Sequence, residues 1–219
     1  MKNILITALF VAVSAVSFGQ TKPVKVGFKA GITLPSISAV GGASAYDGPE
    51  PLDYRMNTSF YIGGVVDLPL SKLFSIQPGL TLVNKGAKYT FVNRYNINVD
   101  SFSGKLNLMY IEIPVNGIFS LELGKGEVFF GGGPYYAFAV DGHTKSTNTG
   151  SNKYKVQFGE DKDYRRTDVG LNLLLGYKLN NGLNVHAGYG IGLKTITGGN
   201  VNFFQEKNKV LSFGFGLYL

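Results

Sequence analysis

Three stretches near the C-terminus decide the fold: DVGLNLLLGYK at 168–178, LNVHAGYGIGLK at 183–194 and LSFGFGLYL at 211–219. In each stretch, apolar residues alternate with glycine or polar residues, which is the pattern of a β-strand with two different faces. In the first stretch, Leu171, Leu173 and Leu175 share one face, while Asp168 and Asn172 share the other. This part of the chain is therefore predicted to form three strands of one antiparallel sheet.

Five earlier segments show the same alternation less regularly. They are Val24–Thr33, Ser59–Leu68, Phe74–Val83, Lys105–Phe119 and Glu127–Val140, the last with aromatic residues on both faces. Short connections at 70–73, 121–126 and 180–182 alternate with long polar ones at 35–57, 84–104, 141–167 and 195–208. Such alternation, with strands of about 9–11 residues, is typical of outer-membrane barrels. We predict an all-β fold: a transmembrane up-and-down antiparallel β-barrel of about eight strands, with both termini at the short-turn rim.

The N-terminus has the pattern of a cleaved signal peptide. Lys2 gives a positive start, Ile4–Val16 is an apolar run, and Ser17-Phe18-Gly19 places small residues at the cleavage positions. The apolar run is too short for a membrane-spanning helix. We expect a signal peptide at 1–19 and a barrel domain at 20–219.

The composition favours a barrel wall in lipid. Hydrophobic residues make up 44% of the chain and charged residues 16%, against about 25% charged in ordinary soluble domains. A lipocalin-like soluble barrel, with its apolar face around a ligand, would use the same alternation. The membrane arrangement is preferred because the polar face carries few charges and because aromatic residues fall near strand ends, where girdles form: Phe74, Tyr89, Tyr135, Tyr177 and Phe213. The expected location is the cell outer membrane.

Charge and cysteine content limit the partners. The chain has no cysteine, which excludes disulfides and thiolate metal sites. Its formal net charge is +7, but Lys and Arg are scattered rather than clustered on one face, so no nucleic-acid partner is expected. Outer-membrane lipid is the expected partner, with other envelope or secretion proteins as a further class.

The turn at Asn180-Asn181-Gly182 predicts a strand register. Faces stay aligned across the hairpin if the loop has three residues, with Gly182 in the left-handed conformation. This register places Asn172 opposite Gly190 and Asp168 opposite Lys194. We therefore predict a contact between the Asp168 and Lys194 side chains.

Several short motifs, in the usual order, carry a family resemblance. They are Val26-Gly27-Phe28-Lys29-Ala30-Gly31, Tyr110-Ile111-Glu112-Ile113-Pro114-Val115, Gly132-Gly133-Pro134-Tyr135-Tyr136, Asp168-Val169-Gly170-Leu171 and the segment from Tyr189 to Gly192-Leu193. In these the chain resembles the PorT-like outer-membrane β-barrel family of Bacteroidetes, often labelled porin family protein. The resemblance spans nearly the whole mature chain and implies an eight-stranded outer-membrane barrel. Relatives often carry an Arg before Tyr189; here Ala187-Gly188 stand instead, so an ion pair made by that Arg is not expected.

The polar faces of the strands predict a polar network inside the barrel. Its members are Lys25, Lys29, Asp67, Glu112, Asp168, Lys178, His186 and Lys194. They are candidates for a gated path or a binding site, or for an internal network in which buried charges pair. We favour the structural network, since an eight-stranded interior is just wide enough for side chains to fill. Lys25–Asp67 and Lys29–Glu112 are the expected pairs.

No catalytic, cofactor or metal site is expected. Asp141, His143 and Ser146 are the residue types of a nucleophile and its base, but their spacing matches no motif. The glycines of Gly131-Gly132-Gly133-Pro134 precede no helix, so they predict tight packing or a bulge rather than a phosphate site. The acidic clusters Asp47/Glu50/Asp53 and Glu160/Asp161/Asp163 lack EF-hand spacing.

The sequence leaves three functions open. The leading hypothesis is a non-enzymatic barrel with long surface loops and a structural, adhesive or narrow-channel role. The second is an accessory of a secretion or outer-membrane assembly system; secretion is the association of the founding PorT-like member, which fold alone does not transfer. The third is a lipid-modifying barrel enzyme.

Overall fold

The computed structural model describes residues 23–40, 53–93, 100–146, 153–199 and 205–219. The predicted signal peptide at 1–19 lies outside these residues. In the described ranges, no helix has the length and apolar character needed to cross a membrane.

The described residues form ten antiparallel strands. They are β1 (Lys25–Val40), β2 (Asp53–Arg55), β3 (Ser59–Pro69), β4 (Phe74–Asn93), β5 (Asp100–Leu123), β6 (Gly126–Ser146), β7 (Lys153–Lys155), β8 (Thr167–Leu179), β9 (Leu183–Gly192) and β10 (Gln205–Tyr218). Eight of them close a ring in the order β1-β3-β4-β5-β6-β8-β9-β10, while β2 pairs with β4 and β7 with β6. The predicted eight-stranded up-and-down barrel is confirmed.

The ring closes where the first and last strands meet. β1 pairs with β10 from Gly27↔Tyr218 to Val40↔Gln205, and the Leu219 amide donates to the Val26 carbonyl at 2.8 Å. Both partners of this seam also pair on their other side, with β3 and β9. The barrel wall therefore has no free strand edge along this seam, which is what a lipid-embedded sheet requires.

The apolar face of the wall points outward. Phe28, Ile62, Leu173 and Phe215 are among the exposed large side chains, and Phe215 is 72% exposed. We call the outward apolar surface the apolar belt; it runs through residues 24–34, 60–68, 74–83, 109–121, 128–140, 169–179, 183–193 and 211–219. The inverted, lipocalin-like arrangement is excluded because it would bury these side chains.

Glycines and aromatic rings fill the inside of the wall together. A side chain added at Gly170 would meet the Tyr135 ring at 2.6 Å, and one added at Gly176 would meet the Phe129 ring at 2.3 Å. Gly27 faces the Tyr218 ring in the same way, at 2.7 Å. Each ring occupies the space left by a glycine on a neighbouring strand, which explains why a narrow barrel uses so many of both.

Most strands continue beyond the apolar belt on the long-loop rim. β4 and β5 pair as far as Asn93↔Asp100, and β6 extends to Ser146. The prediction of long polar loops at 84–104 and 141–167 was therefore too broad. Outward residues of these extensions, such as Lys88 and Lys105, are polar because they lie above the belt, and this masked the strand pattern.

Of the five predicted girdle residues, Phe74 lies in an aromatic cluster at the short-turn rim. On the short-turn side, the Phe119 ring lies 4.8 Å from Phe74 and 5.7 Å from Phe130, centroid to centroid. Tyr135 and Tyr89 do not belong to a girdle. Tyr135 is buried in the lumen and Tyr89 packs against the interior core. The girdle prediction was wrong for both, since aromatic residues occur on both faces of these strands.

The predicted turn register is confirmed at Asn172↔Gly190, with Gly182 at φ 88°. The Gly182 amide donates to the Leu179 carbonyl at 2.9 Å, closing the three-residue loop. The ladder then ends at Gly192, where the amides of Leu193 and Lys194 both donate to the Val169 carbonyl, at 2.8 and 3.2 Å. This local irregularity changes the direction of the Lys194 side chain.

Gly182→Ala is expected to destabilise the barrel more than Gly124→Ala does. Both positions have positive φ, which costs a non-glycine residue about 1 kcal/mol. A methyl group at 182 would also lie 2.2 Å from the Tyr218 carbonyl oxygen, whereas at 124 the nearest atom is the Tyr177 hydroxyl at 3.9 Å. We expect a loss of roughly 2–4 kcal/mol for Gly182→Ala in urea unfolding from detergent micelles. Equal losses in the two variants would contradict the turn geometry.

Candidate functional site in the barrel lumen

Three charged side chains meet in the middle of the barrel. The Lys85 Nζ lies 2.8 Å from Glu112 Oε2 and 3.0 Å from Asp168 Oδ2. These side chains are 2%, 11% and 0% exposed, respectively. β4, β5 and β8 place them on inward faces, so the three charges form one buried cluster, which we call the lumenal triad.

Neighbouring polar groups complete the triad. Asp168 Oδ2 accepts hydrogen bonds from the Tyr135 hydroxyl at 3.2 Å and the Asn208 amide at 3.0 Å. Glu112 Oε1 accepts one from the Asn172 amide at 3.1 Å. The Lys85 ammonium also lies 4.1 Å from the centre of the Tyr135 ring, within range of a cation–π contact. Buried charges are tolerated only when paired and hydrogen-bonded in this way.

Two of the predicted network residues lie opposite each other at the short-turn rim. Lys25 pairs with Asp67 in the β1–β3 register, and both line a cavity of about 160 Å³. The Asp67 carboxylate accepts a hydrogen bond from Gln77 at 3.0 Å. Lys178 lines the same cavity and forms an ion pair with Glu127 at 3.3 Å. A second cluster of charged side chains, formed by Lys25, Asp67, Glu127 and Lys178, therefore lies at the short-turn end of the barrel.

Lys29 and His186 lie between the lumenal triad and the charged cluster at the short-turn rim. They line a cavity of about 60 Å³ together with Glu112, so the expected pair of Lys29 and Glu112 shares one space. The ion pair of Glu112 is with Lys85, however. The His186 Nε2 lies 2.5 Å from the Tyr61 hydroxyl, and its Nδ1 lies 2.8 Å from Asn184 Oδ1.

The predicted contact between Asp168 and Lys194 is wrong. Lys194 is exposed, and its ammonium donates to the Thr167 hydroxyl at 3.2 Å. The regular ladder stops at Gly192, so the register argument no longer determines the side-chain direction two residues later. Lys85 occupies the place expected for Lys194.

The sequence does not predict three residues of this site. Lys85 and Asn208 fall in the predicted loops at 84–104 and 195–208, and Tyr135 falls in the segment with aromatic residues on both faces. The signal for Lys85 was present in the sequence. Gln77, Gly79, Thr81 and Val83 form the inward face of β4, and continuing the same alternation reaches Lys85.

Above the triad the lumen is filled by apolar side chains. Leu108, Ala139 and Ile196 are 0% exposed, and Leu106 is 2% exposed. Further members of this cluster, the upper core, are Ile37, Ala87 and Val156, with Tyr54, Phe158 and Tyr164 packed against them. Ile196, Val156, Phe158 and Tyr164 come from connections between strands, which therefore fold inward over the barrel.

A buried carboxylate closes the upper core at the long-loop rim. The Tyr54 hydroxyl donates to Glu206 Oε1, and the Glu206 amide donates to the Thr197 hydroxyl at 3.0 Å. Burial raises the pKa of the Glu206 carboxyl. Burial and the adjacent Glu206 carboxylate also raise the pKa of the Tyr54 phenol, which stays protonated as the donor.

The candidate catalytic residues do not come together. Asp141 Oδ2 lies 3.9 Å from His143 Nδ1, and Asp141 is largely exposed. Ser146 lies three residues after His143 on the same strand, so the alternation of β6 places it on the opposite face. The arrangement lacks the hydrogen-bonded nucleophile and base of a catalytic triad.

The glycine run packs within the barrel wall, and acidic residues of both clusters make contacts within the protein. A side chain at Gly131 would lie 2.0 Å from the Gly117 carbonyl oxygen, so this run packs tightly between strands. Asp47 and Glu50 lie outside the described residues. Asp53 pairs with Arg55 at 2.9 Å, and Asp163 accepts from the Gln157 amide at 2.8 Å. Among the described residues, no group of three His, Cys, Asp or Glu side chains is placed to hold a metal.

One family model matches most of the chain. The family described as "Outer membrane protein beta-barrel domain" matches residues 18–198. Among solved structures, OprG of Pseudomonas aeruginosa is 11% identical with a TM-score of 0.47, covering 90% of this chain and 97% of that chain. Neisserial surface protein A is 14% identical with a TM-score of 0.42, covering 90% and 99%. Ail, the attachment invasion locus protein of Yersinia pestis, is 9% identical with a TM-score of 0.40, covering 90% and 100%. No curated protein sequence gives a significant match.

Lys85→Met is expected to destabilise the barrel by about 3–5 kcal/mol, because it leaves two buried carboxylates without their cation. The control is Arg55→Met, whose ion pair with Asp53 is exposed (74% and 58%) and whose loss should cost at most about 1 kcal/mol. Adding Glu112→Gln and Asp168→Asn to Lys85→Met should recover most of the lost stability. Urea unfolding followed by circular dichroism measures all three. If the triple variant were no more stable than Lys85→Met, packing rather than charge would explain the loss.

The long-loop rim is expected to become more stable in mild acid. The folded-state pKa of Glu206 lies above its ordinary value of 4.5, so the folded protein binds this proton more tightly than the unfolded chain. Stability therefore rises as the pH falls through the raised pKa and rises no further below about 4.5. Protease protection of the rim should increase as the pH falls from neutrality towards 4.5. The Glu206→Gln variant should show no such change, and an equal response in both proteins would refute this role of Glu206.

Proposed function

Because the chain belongs to the outer-membrane protein β-barrel domain family and resides in the outer membrane, we propose that it is a non-enzymatic, non-conducting barrel that acts through contacts at the cell surface. Its short-turn rim then faces the periplasm and its extended rim the exterior, as in other barrels of this kind. The proposed role is structural or adhesive, and not that of a narrow channel.

The filled upper lumen is the observation that carries the proposal. A continuous water path would leave inward side chains accessible along its length. Instead, inward residues of β5 and β6, together with Ile196, have almost no accessible surface. Below them, the triad places three paired charges across the middle of the lumen. To cross the barrel, an ion would have to displace both the upper core and the lumenal triad.

The extended strands supply the surface that such a barrel would use. We call the part above the apolar belt, formed by β2, β7 and the upper ends of β4, β5 and β6, the raised sheet. Its strands are held by a continuous ladder, from Arg55↔Lys88 through Lys105↔Lys145 to Lys145↔Lys153. Since its backbone groups pair within the sheet, it can present side chains in a fixed arrangement outside the membrane.

The absence of an assembled nucleophile and base in the described residues supports a role without catalysis. We also propose that the chain is a PorT-like barrel within this family. It is supported by the order of the short motifs, such as Gly27-Phe28-Lys29 and Asp168-Val169-Gly170.

Wild-type protein in planar lipid bilayers should give no steady conductance, because the triad and the upper core block the lumen. The same protein displayed on cells should increase their attachment to one another or to a coated surface. The test variant joins Tyr89 directly to Gly104 through a short turn. This deletion removes the upper end of the β4–β5 hairpin. It should keep the heat-modifiable gel mobility of a folded barrel but lose attachment.

Stable single-channel currents from folded wild-type protein would overturn the non-conducting role. Attachment that is unchanged in the shortened variant would overturn the role of the raised sheet. The two readouts are independent, so each part of the proposal can fail alone.

A further inference from the structure

Five cationic residues lie side by side across the raised sheet. Arg55 on β2 pairs with Lys88 on β4, Lys88 with Lys105 on β5, Lys105 with Lys145 on β6, and Lys145 with Lys153 on β7. Directly paired residues of an antiparallel sheet share one face. The five side chains therefore form a single row, which we call the cationic row.

All five side chains point outward and are exposed. On β5 the flanking residues Gly104 and Leu106 are buried, which fixes Lys105 on the outer face. Arg55 is paired with Asp53 at 2.9 Å. Within the described ranges, no carboxylate forms an ion pair with any of the four lysines. The row is thus a line of four positive charges that the described part of the protein leaves uncompensated.

Such a row opposes folding rather than helping it. Like charges directly opposite each other destabilise a β-sheet, and adjacent strands are only about 4.8 Å apart. Three consecutive lysine pairs repeat this repulsion: Lys88 with Lys105, Lys105 with Lys145, and Lys145 with Lys153. An external array of negative charges at the same spacing would remove the repulsion and bind to all four side chains.

The height of the row indicates where that counter-charge lies. Lys105 stands four residues beyond Met109, the last apolar residue on the outer face of β5, and Lys88 stands six residues beyond Leu82 on β4. With about 3.4 Å per residue and a strand tilt of 35–45°, the row lies roughly 10–15 Å above the belt. Since long lysine side chains can bend toward a membrane surface, they reach the headgroup layer from this height.

We propose that the cationic row binds the phosphorylated headgroup sugars of the glycolipid in the outer leaflet of the outer membrane. The row lies on the outer wall of the barrel and faces neighbouring lipid sideways. Phosphates on adjacent glycolipid headgroups then alternate with the lysine ammonium groups and neutralise the row. The row's position on the side wall, just above the apolar belt, favours lipid headgroups over a soluble anionic polymer as the source of the phosphates.

Binding of a defined glycolipid to the refolded protein tests the proposal. The probe is lipopolysaccharide truncated to lipid A and its phosphorylated inner core, titrated into protein in detergent and followed by the change in thermal unfolding. Lys105→Gln with Lys145→Gln removes the two central charges and should weaken binding at least about tenfold. Rising salt should weaken binding by wild-type protein, because the contact is between exposed charges.

The matched control is Lys72→Gln with Lys125→Gln. These lysines are exposed at the short-turn rim, so the control has the same net charge as the row variant. Binding by the control should equal that of wild type, and both variants should keep the heat-modifiable mobility of the folded barrel.

Two further ligands distinguish the sources of negative charge. The same glycolipid after dephosphorylation should bind wild-type protein as weakly as the intact glycolipid binds the row variant. Soluble heparin supplies sulfate on a polymer instead. The proposal is overturned if the row variant binds the phosphorylated glycolipid normally, if dephosphorylation has no effect, or if the row variant loses only heparin binding. None of these outcomes bears on conductance or attachment, so they leave the proposed function separately testable.

Discussion

The structure depends on one constraint: every backbone N–H and C=O group in the lipid must find a partner within the protein. Lipid offers no hydrogen bonds, so a sheet can cross it only when its first and last strands pair. Here the pairing of β1 with β10 meets that requirement, from Gly27↔Tyr218 upward. Once the ring is closed, the alternation of each strand fixes which residues meet lipid and which fill the lumen.

Closure with eight strands leaves a narrow interior, and the inward residues are suited to it. Low in the barrel, glycines on one strand accommodate aromatic rings from the next. In the middle, Lys85, Glu112 and Asp168 neutralise one another at 2.8 and 3.0 Å. Higher up, beyond the lipid, apolar residues such as Leu108 and Ile196 form a core of the kind found in soluble proteins. The lumen is therefore a packed interior, and the outer surfaces above the belt are the parts left for function.

The sequence predicts the faces of the wall well, because the contrast between lipid and lumen is strong in the belt. The turn at Gly182 also fixes the register at Asn172↔Gly190, since a positive φ allows few alternatives. Prediction fails where that contrast ends. The sequence pattern places Lys85 in a loop because the outer face of β4 becomes polar above the lipid. Lys194 was misplaced because the ladder stops at Gly192, and no periodic pattern reports a stopped ladder. The cationic row is not visible in any single stretch of sequence, because it depends on how five separate strands pair.

Closure of the ring can be tested most directly by cross-linking across the β1–β10 seam. The chain has no cysteine, so an introduced pair reports without background. Ala30 lies opposite Phe215, whereas Phe213 lies opposite Ile32. The double variant Ala30→Cys with Phe215→Cys should form a disulfide on mild oxidation of the folded barrel in lipid. Ala30→Cys with Phe213→Cys should form it far less. Equal or preferential cross-linking of the shifted pair, or none in either, would contradict the closed barrel with this register.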